Sequence, residues 1–131
     1  MKTIVCLRSL PGAGKSSLAK LIAENKNAVI CEADDYFMVN DEYKFDATKL
    51  GFAHAQCQSK VIESIKNGVD FIIVSNTSST EKEVNIYKDL AEQHNYRFTS
   101  VIVENRHGNK SVHNVPESVV ENMKNRFSIK L

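Results

Sequence analysis

The sequence predicts an α/β protein built on a small parallel sheet of about four strands, with helices on both faces. Three observations carry that expectation. Short β-rich apolar runs alternate with longer amphipathic stretches, four of each. The third run, DFIIVS at 70–75, is almost continuously apolar, as a strand covered on both faces is. The segments that follow the four runs, 9–16, 32–36, 75–80 and 104–113, are all polar, and an open parallel sheet collects its ligand site at those strand ends.

Taken in order, residues 2–8 form a buried strand, β-branched and apolar. A helix follows over 16–24, with Leu18, Leu21 and Ile22 at helical spacing. Residues 28–32 give a second short strand. A long helix spans 48–67, with Leu50, Ala53, Cys57, Val61 and Ile65 down one face, and Gly68 ends it. Residues 70–75 are the third strand. Thr80 with Glu83 three residues on makes a capping box that opens a helix through about residue 93. Residues 97–104 are the fourth strand, and 105–113, polar and containing Gly108, form an exposed loop. A last helix covers 116–126, with Asn114 and Glu117 as a second capping pattern.

Length and composition narrow the function classes. The chain of 131 residues is read as a single domain over 1–131, long enough to bury a core without staples. Its 42% hydrophobic and 25% charged residues are ordinary for a globular protein. A net charge of +1 gives no bulk pull toward nucleic acid or membrane, so a nucleic acid partner requires a local basic patch. Cys6, Cys31 and Cys57 are odd in number, widely spaced and without a C-x-x-C pair, hence structural thiols. No His/Cys cluster has zinc spacing. With neither a secretory signal nor an apolar run of spanning length, a cytoplasmic protein without membrane attachment is expected.

The chemistry starts at RSLPGAGKSS, residues 8–17. A phosphate loop is written G-x-x-x-x-G-K-[ST]. Here it follows a strand and opens a helix, the context it requires. Pro11, Gly12, Ala13, Gly14, Lys15, Ser16 and Ser17 are the nucleotide-binding candidates. The glycines let backbone N–H groups form an anion nest, and the helix N-terminus adds partial positive charge. Lys15 reaches the β- and γ-phosphates, and the Ser16 hydroxyl serves Mg²⁺. Ser9 stands where the pattern opens on glycine. That costs little at negative φ, and strain on the order of 1 kcal/mol or more at positive φ.

Downstream, CEADDYF at 31–37 sets two aspartates past a strand end. A carboxylate there can take the proton of an attacking hydroxyl, although Asp also serves as a helix N-cap. His54 on the long helix either faces the cleft or is a partly buried polar residue. His94 reads as a helix C-terminal cation, Tyr36 and Phe37 as core aromatics with base stacking as the alternative, and Lys124, Arg126 and Lys130 as helix surface and tail.

SLPGAGKSS, ADDYF, FIIVSNTSSTEKE and HNVPESVVENMKNRF together resemble the P-loop kinase domain of phage 5′-hydroxyl polynucleotide kinases and of related AAA-type predicted kinases. The resemblance spans nearly the whole chain. It implies a three-layer α/β/α P-loop NTPase of the kinase type, ATP and Mg²⁺ as cofactors, and a short lid at about 105–115. It further implies Asp34 as general base for the acceptor hydroxyl, with Asp35 supporting it or touching metal-bound water. Arg106 and Lys110 are the lid cations, with His107 and His113 beside them. Asn76, Thr77 and His54 are the substrate-side candidates. Three positions depart from the family pattern: Ser9; Asn76, at or beside a position that commonly carries aspartate; and Phe37–Met38, where phage enzymes carry an arginine.

The expected activity is transfer of the γ-phosphate from a nucleoside triphosphate to a hydroxyl, foremost the 5′-OH of a polynucleotide or nucleotide. A small-molecule or RNA-repair acceptor, and a non-catalytic ATP- or GTP-binding regulatory module, stand as alternatives.

Overall fold

The structure is a computed structural model that describes residues 1–78, 80–106 and 115–131. Its main sheet has four parallel strands: β1 (Thr3–Arg8), β2 (Ala28–Cys31), β5 (Phe71–Ser75) and β6 (Arg97–Ile102), in the order β2-β5-β1-β6. Between β2 and β5 a small hairpin, β3 (Met38–Val39) with β4 (Glu42–Tyr43), forms a second sheet. The helices are α1 (Lys15–Ala23), α2 (Leu50–Lys66), α3 (Glu81–Gln93) and α4 (Glu117–Arg126). The predicted α/β class and the four-stranded parallel sheet are thus observed.

Strand β1 is buried along its whole length between β5 and β6. Because successive side chains of a strand point to opposite faces, its run serves two cores. Ile4 joins Ile72, Val74, Cys57, Val61 and Tyr87 under α2 and α3. Val5 and Leu7 join Ile73 and Ala19 under α1. The helices therefore lie on both sides of the sheet.

The elements start and stop for local reasons. Thr80 and Glu83 make the full reciprocal capping box at α3. Helix α2 closes with Gly68 at φ +69°, its N–H donating to Ile65 O. Helix α4 begins after Pro116, whose carbonyl accepts from Val119 and Val120; the Asn114 half of that capping pattern lies outside the described residues.

The segment 33–49 has more structure than its sequence announces. Ala33–Phe37 is a 3₁₀ turn, the hairpin follows, and Ala47–Lys49 is a second 3₁₀ turn. The hairpin turns at Asn40 and Asp41, both left-handed at φ 51° and 64°, the backbone a tight two-residue turn needs. Two-residue strands carry no hydrophobic period, which is why the sequence shows none.

All three cysteines are free and buried. Burial pushes the Cys6 thiol up to about 11 and that of Cys31 up to about 12, and raises the Tyr87 hydroxyl as well. The fold favours the protonated form of each, so the contribution to stability is complete below the unfolded value of 9.0 for the thiols and is lost as pH rises through the folded values. The midpoint of urea unfolding is accordingly expected to fall as pH rises above 9.0 toward about 11. A fall no steeper than that of a variant with Cys6→Ala and Cys31→Ala would show that the thiols titrate normally.

Candidate functional site

Residues 9–14 carry the chain from β1 into α1. Gly12 and Gly14 sit at φ 86° and 90°, a region that a Cβ makes costly. Gly14 is also the N-cap of α1, and this helix has neither a capping side chain nor an acidic residue in its first turn, whereas α3 is fully capped by its own side chains. The leading N–H groups of α1 are thus left to a ligand, and with the helix dipole they suit an anion.

Ser9 is not among the residues with positive φ, so the missing glycine brings no backbone strain. It is 1% exposed. Its N–H donates to Thr77 O at 3.3 Å and its hydroxyl to Leu10 O at 2.8 Å. The backbone at this position ties the entry of the loop to the segment that leaves β5, and the serine hydroxyl bonds back to the loop itself. Just before it, Arg8 is buried. Its Nε donates to Ser78 O and Nη2 to Ser128 O, both at 2.7 Å, and its guanidinium lies over the Phe127 ring. The strand end, the β5 exit and the C-terminal tail are thereby fastened together beneath the loop.

Lys15 opens α1. Partial burial holds its ammonium below the usual lysine value, and the charges of Asp34 and Glu32 oppose that effect. The charges of two carboxylates therefore reach this lysine. Asp34 stands in the 3₁₀ turn after β2, where its Oδ1 accepts from the Tyr43 hydroxyl at 3.1 Å. Tyr43 reaches it because the hairpin folds back on the turn, with Lys44 N–H donating to Phe37 O at 2.8 Å and the Phe37, Tyr43 and Phe45 rings in contact. Burial, and then Asp34, push the Tyr43 hydroxyl up to about 12, so it remains a donor at any working pH. Phe37 itself is core.

Glu32 was not singled out by the sequence. Its Oε1 accepts from the Ser16 hydroxyl at 3.0 Å. Strand alternation carries the signal: Val29 and Cys31 pack on the α2 side, Ala28 and Ile30 on the α1 side, so Glu32 follows toward α1 and its serine. Asp35, the sequence candidate for metal, lines a cavity of about 560 Å³ on the α2 side with Glu32, Gln56, Lys60 and Glu63.

Asn76 is buried, its amide oxygen accepting from Ala33 N–H at 2.8 Å and its nitrogen 3.6 Å from Cys57 Sγ. It therefore fixes the start of the turn that carries Asp34. Thr77 meets the loop through its carbonyl. His54 is exposed and lines a cleft of about 120 Å³ with Gln58, Asn76, Ser78, Glu83 and Ile86, between α2 and α3. Arg106 is exposed and paired with Glu104 at 2.8 Å. Lys110, His107 and His113 lie outside the described residues. The structure thus brings Lys15, Ser16, Glu32 and Asp34 together, with Asn76 beneath them; Asp35 lines a cavity that Glu32 also borders, and His54 a cleft that Asn76 also borders.

Comparison with known proteins gives the same fold. A family model described as an AAA domain matches residues 4–129. Human NEDD4-binding protein 2 is 40% identical over 95 residues, covering 72% of this chain, which in turn spans only 5% of that protein. Among solved structures, a sugar kinase from Janibacter sp. HTCC2649 superposes with a TM-score of 0.66 at 14% identity, covering all of this chain and 80% of that one. A chain of the Pnkp1/Rnl/Hen1 RNA repair complex gives 0.63 at 17% identity, over 96% of this chain and 44% of that one. Both likenesses show a kinase-like P-loop fold.

Proposed function

The chain belongs to the AAA-domain family, and from that premise we propose that it is an ATP-dependent phosphotransferase of the phage polynucleotide 5′-hydroxyl kinase type. It moves the γ-phosphoryl group to a hydroxyl, foremost the 5′-OH of a polynucleotide or nucleotide. One observation carries the reading: the end of β2 is held against the phosphate loop by the Ser16–Glu32 bond at 3.0 Å, which sets the turn bearing the acceptor-side carboxylate Asp34 beside Lys15. A phosphate-binding lysine and a carboxylate that orients the acceptor are two of the recurring parts of a kinase site.

In this reading the N–H groups of 12–16 and the Lys15 ammonium bind the donor phosphates. Asp34 orients the acceptor hydroxyl and takes its proton as the acceptor oxygen bonds to the γ-phosphorus and the bond from that phosphorus to the ADP oxygen breaks, ADP carrying the electron pair away. Thr77 and His54 border the acceptor's approach. Arg106, with Lys110 from the lid, steadies charge on the moving phosphoryl group. Leaving Glu104 costs Arg106 little, since exposed ion pairs are worth about 0–1 kcal/mol. Ser16 and the carboxylate beside it are hard oxygen donors and fit Mg²⁺. The ion supplies neutralisation of the phosphate oxygens.

The similarity to an RNA repair complex supports the polynucleotide acceptor, and that to a sugar kinase supports a small-molecule alcohol as second reading. Labelled ATP offered with 5′-OH oligonucleotides, 5′-phosphorylated oligonucleotides, nucleosides and simple sugars separates them. Label is expected on the 5′-OH oligonucleotide and absent from its phosphorylated twin. Label on sugars or nucleosides alone would give the second reading. ATP binding without transfer to any acceptor would leave a nucleotide-binding module.

A further inference from the structure

In a phosphate-loop site the loop serine or threonine holds the cation together with a carboxylate at the end of a neighbouring strand. The third strand of this chain offers Ser75 and Asn76 there, and neither is acidic. Asn76 is also spoken for, since its amide is bonded to Ala33 and Cys57 and it points to the α2 side.

Register shows what takes its place. Ser75 pairs with Leu7, and Leu7 packs under α1 with Ile73 and Ala19, so Ser75 faces the phosphate-loop side. On its other flank β5 pairs with β2, with Cys31 opposite Val74. One residue further along, that register sets Glu32 beside Ser75, both on the face away from Cys31 and Val74. From this position Glu32 accepts from Ser16 at 3.0 Å. Its charge also reaches Lys15. The Ser75 hydroxyl is 95% buried by its residue exposure of 5%, and among the described residues it is the buried side-chain oxygen with no hydrogen-bond partner. An orphaned hydroxyl on this face wants a ligand.

We infer that the carboxylate serving the divalent cation has moved one strand over, so that Glu32 on β2, with Ser16 and Ser75, forms the metal-binding edge of the nucleotide site. The donors are three hard oxygens, a set for Mg²⁺ and not for a thiophilic metal. Magnesium is commonly bound by one or two carboxylates together with substrate phosphates, which accords with the absence of any His/Cys/Asp/Glu trio among the described residues. Glu32 and Asp35 both border the α2-side cavity, and it is Glu32 that is bonded to the loop serine, so the metal role goes to Glu32 in place of Asp35. The inference rests on the nucleotide-binding half of the proposed function and is independent of the acceptor.

The test is nucleotide binding, read without turnover. A fluorescent ATP analogue is titrated at rising Mg²⁺, and Mn²⁺ uptake is followed separately by electron paramagnetic resonance. Glu32 is partly exposed, so Glu32→Gln folds, and a thermal melt verifies it. The variant is expected to need about 10- to 100-fold more Mg²⁺ for the same enhancement of nucleotide affinity, with metal-free affinity retained. Ser75→Ala is expected to shift the Mg²⁺ requirement in the same direction by a smaller factor. A wild-type Mg²⁺ response in Glu32→Gln overturns the inference, and its loss in Asp35→Asn instead hands the role to Asp35. A wild-type protein that binds nucleotide with no response to Mg²⁺ overturns the inference alone. One that binds no nucleotide removes the proposed function with it.

Discussion

Asp34→Asn is expected to lower turnover by about 100- to 10,000-fold, the usual contribution of a positioned general base, and to leave ATP affinity unchanged or slightly tighter. The substitution keeps the shape of the side chain and an oxygen that can accept from Tyr43, now at 3.1 Å. The hairpin therefore stays closed on the turn, and the urea midpoint stays put. What the amide lacks is the ability to take a proton. On the donor side, Lys15 loses one of the two carboxylates whose charge faces it, which removes a repulsion from incoming phosphates. The two readouts must separate. Turnover at the wild-type rate would strip Asp34 of its role. A fall in turnover matched by an equal fall in ATP affinity would make Asp34 part of the nucleotide pocket instead.

The fold was legible because its signals are repeated. Each of the four strands is a run of four or more residues, each helix has a period, and the capping box at Thr80 and Glu83 is a two-residue signature whose hydrogen bonds the structure contains. The loop glycines were legible for a related reason, since only glycine sits easily at the φ of Gly12 and Gly14. The hairpin that delivers Tyr43 to Asp34 had no such signal. Its strands are two residues long, and the turn at Asn40 and Asp41 carries no glycine.

Site residues divided along the same line. Lys15, Ser16 and Asp34 are named by motif, and they do converge. Glu32 was hidden beside the more conspicuous aspartate pair, although alternation along 28–32 already sends it to the side of Ser16. Asn76 is a substrate-side candidate by resemblance; parity turns it to the α2 side, where its amide holds the backbone of Ala33 and the residue borders the cleft with His54. Arg8 shows a further limit. Its bonds to Ser78 and Ser128 join positions 70 and 120 residues away, and no local pattern encodes a side chain that bonds carbonyls so distant.

The second large effect is expected at Lys15. Lys15→Ala should weaken ATP binding by about 100-fold or more, since hydrogen bonds to charged groups are each worth about 1.5–3 kcal/mol and one ammonium serves two phosphates. Its stability should move the other way. Burial depresses the lysine below its ordinary value of 10.5, so the folded apo protein holds that proton less willingly than the unfolded chain. Such a group costs stability wherever the unfolded chain is charged and the site is not compensated, and the cost fades as pH rises toward 10.5. Alanine removes it at neutral pH. The variant should therefore unfold at a urea midpoint equal to or above that of the wild type while failing to bind nucleotide in a calorimetric titration. Nucleotide phosphates reverse the lysine's preference by supplying charge, so wild-type ATP affinity should fall on the alkaline side earlier than an ordinary lysine would allow. If Lys15→Ala binds ATP as the wild type does, the loop is not a phosphate cradle. If it loses binding and stability together, Lys15 holds the loop in shape and does not serve the ligand.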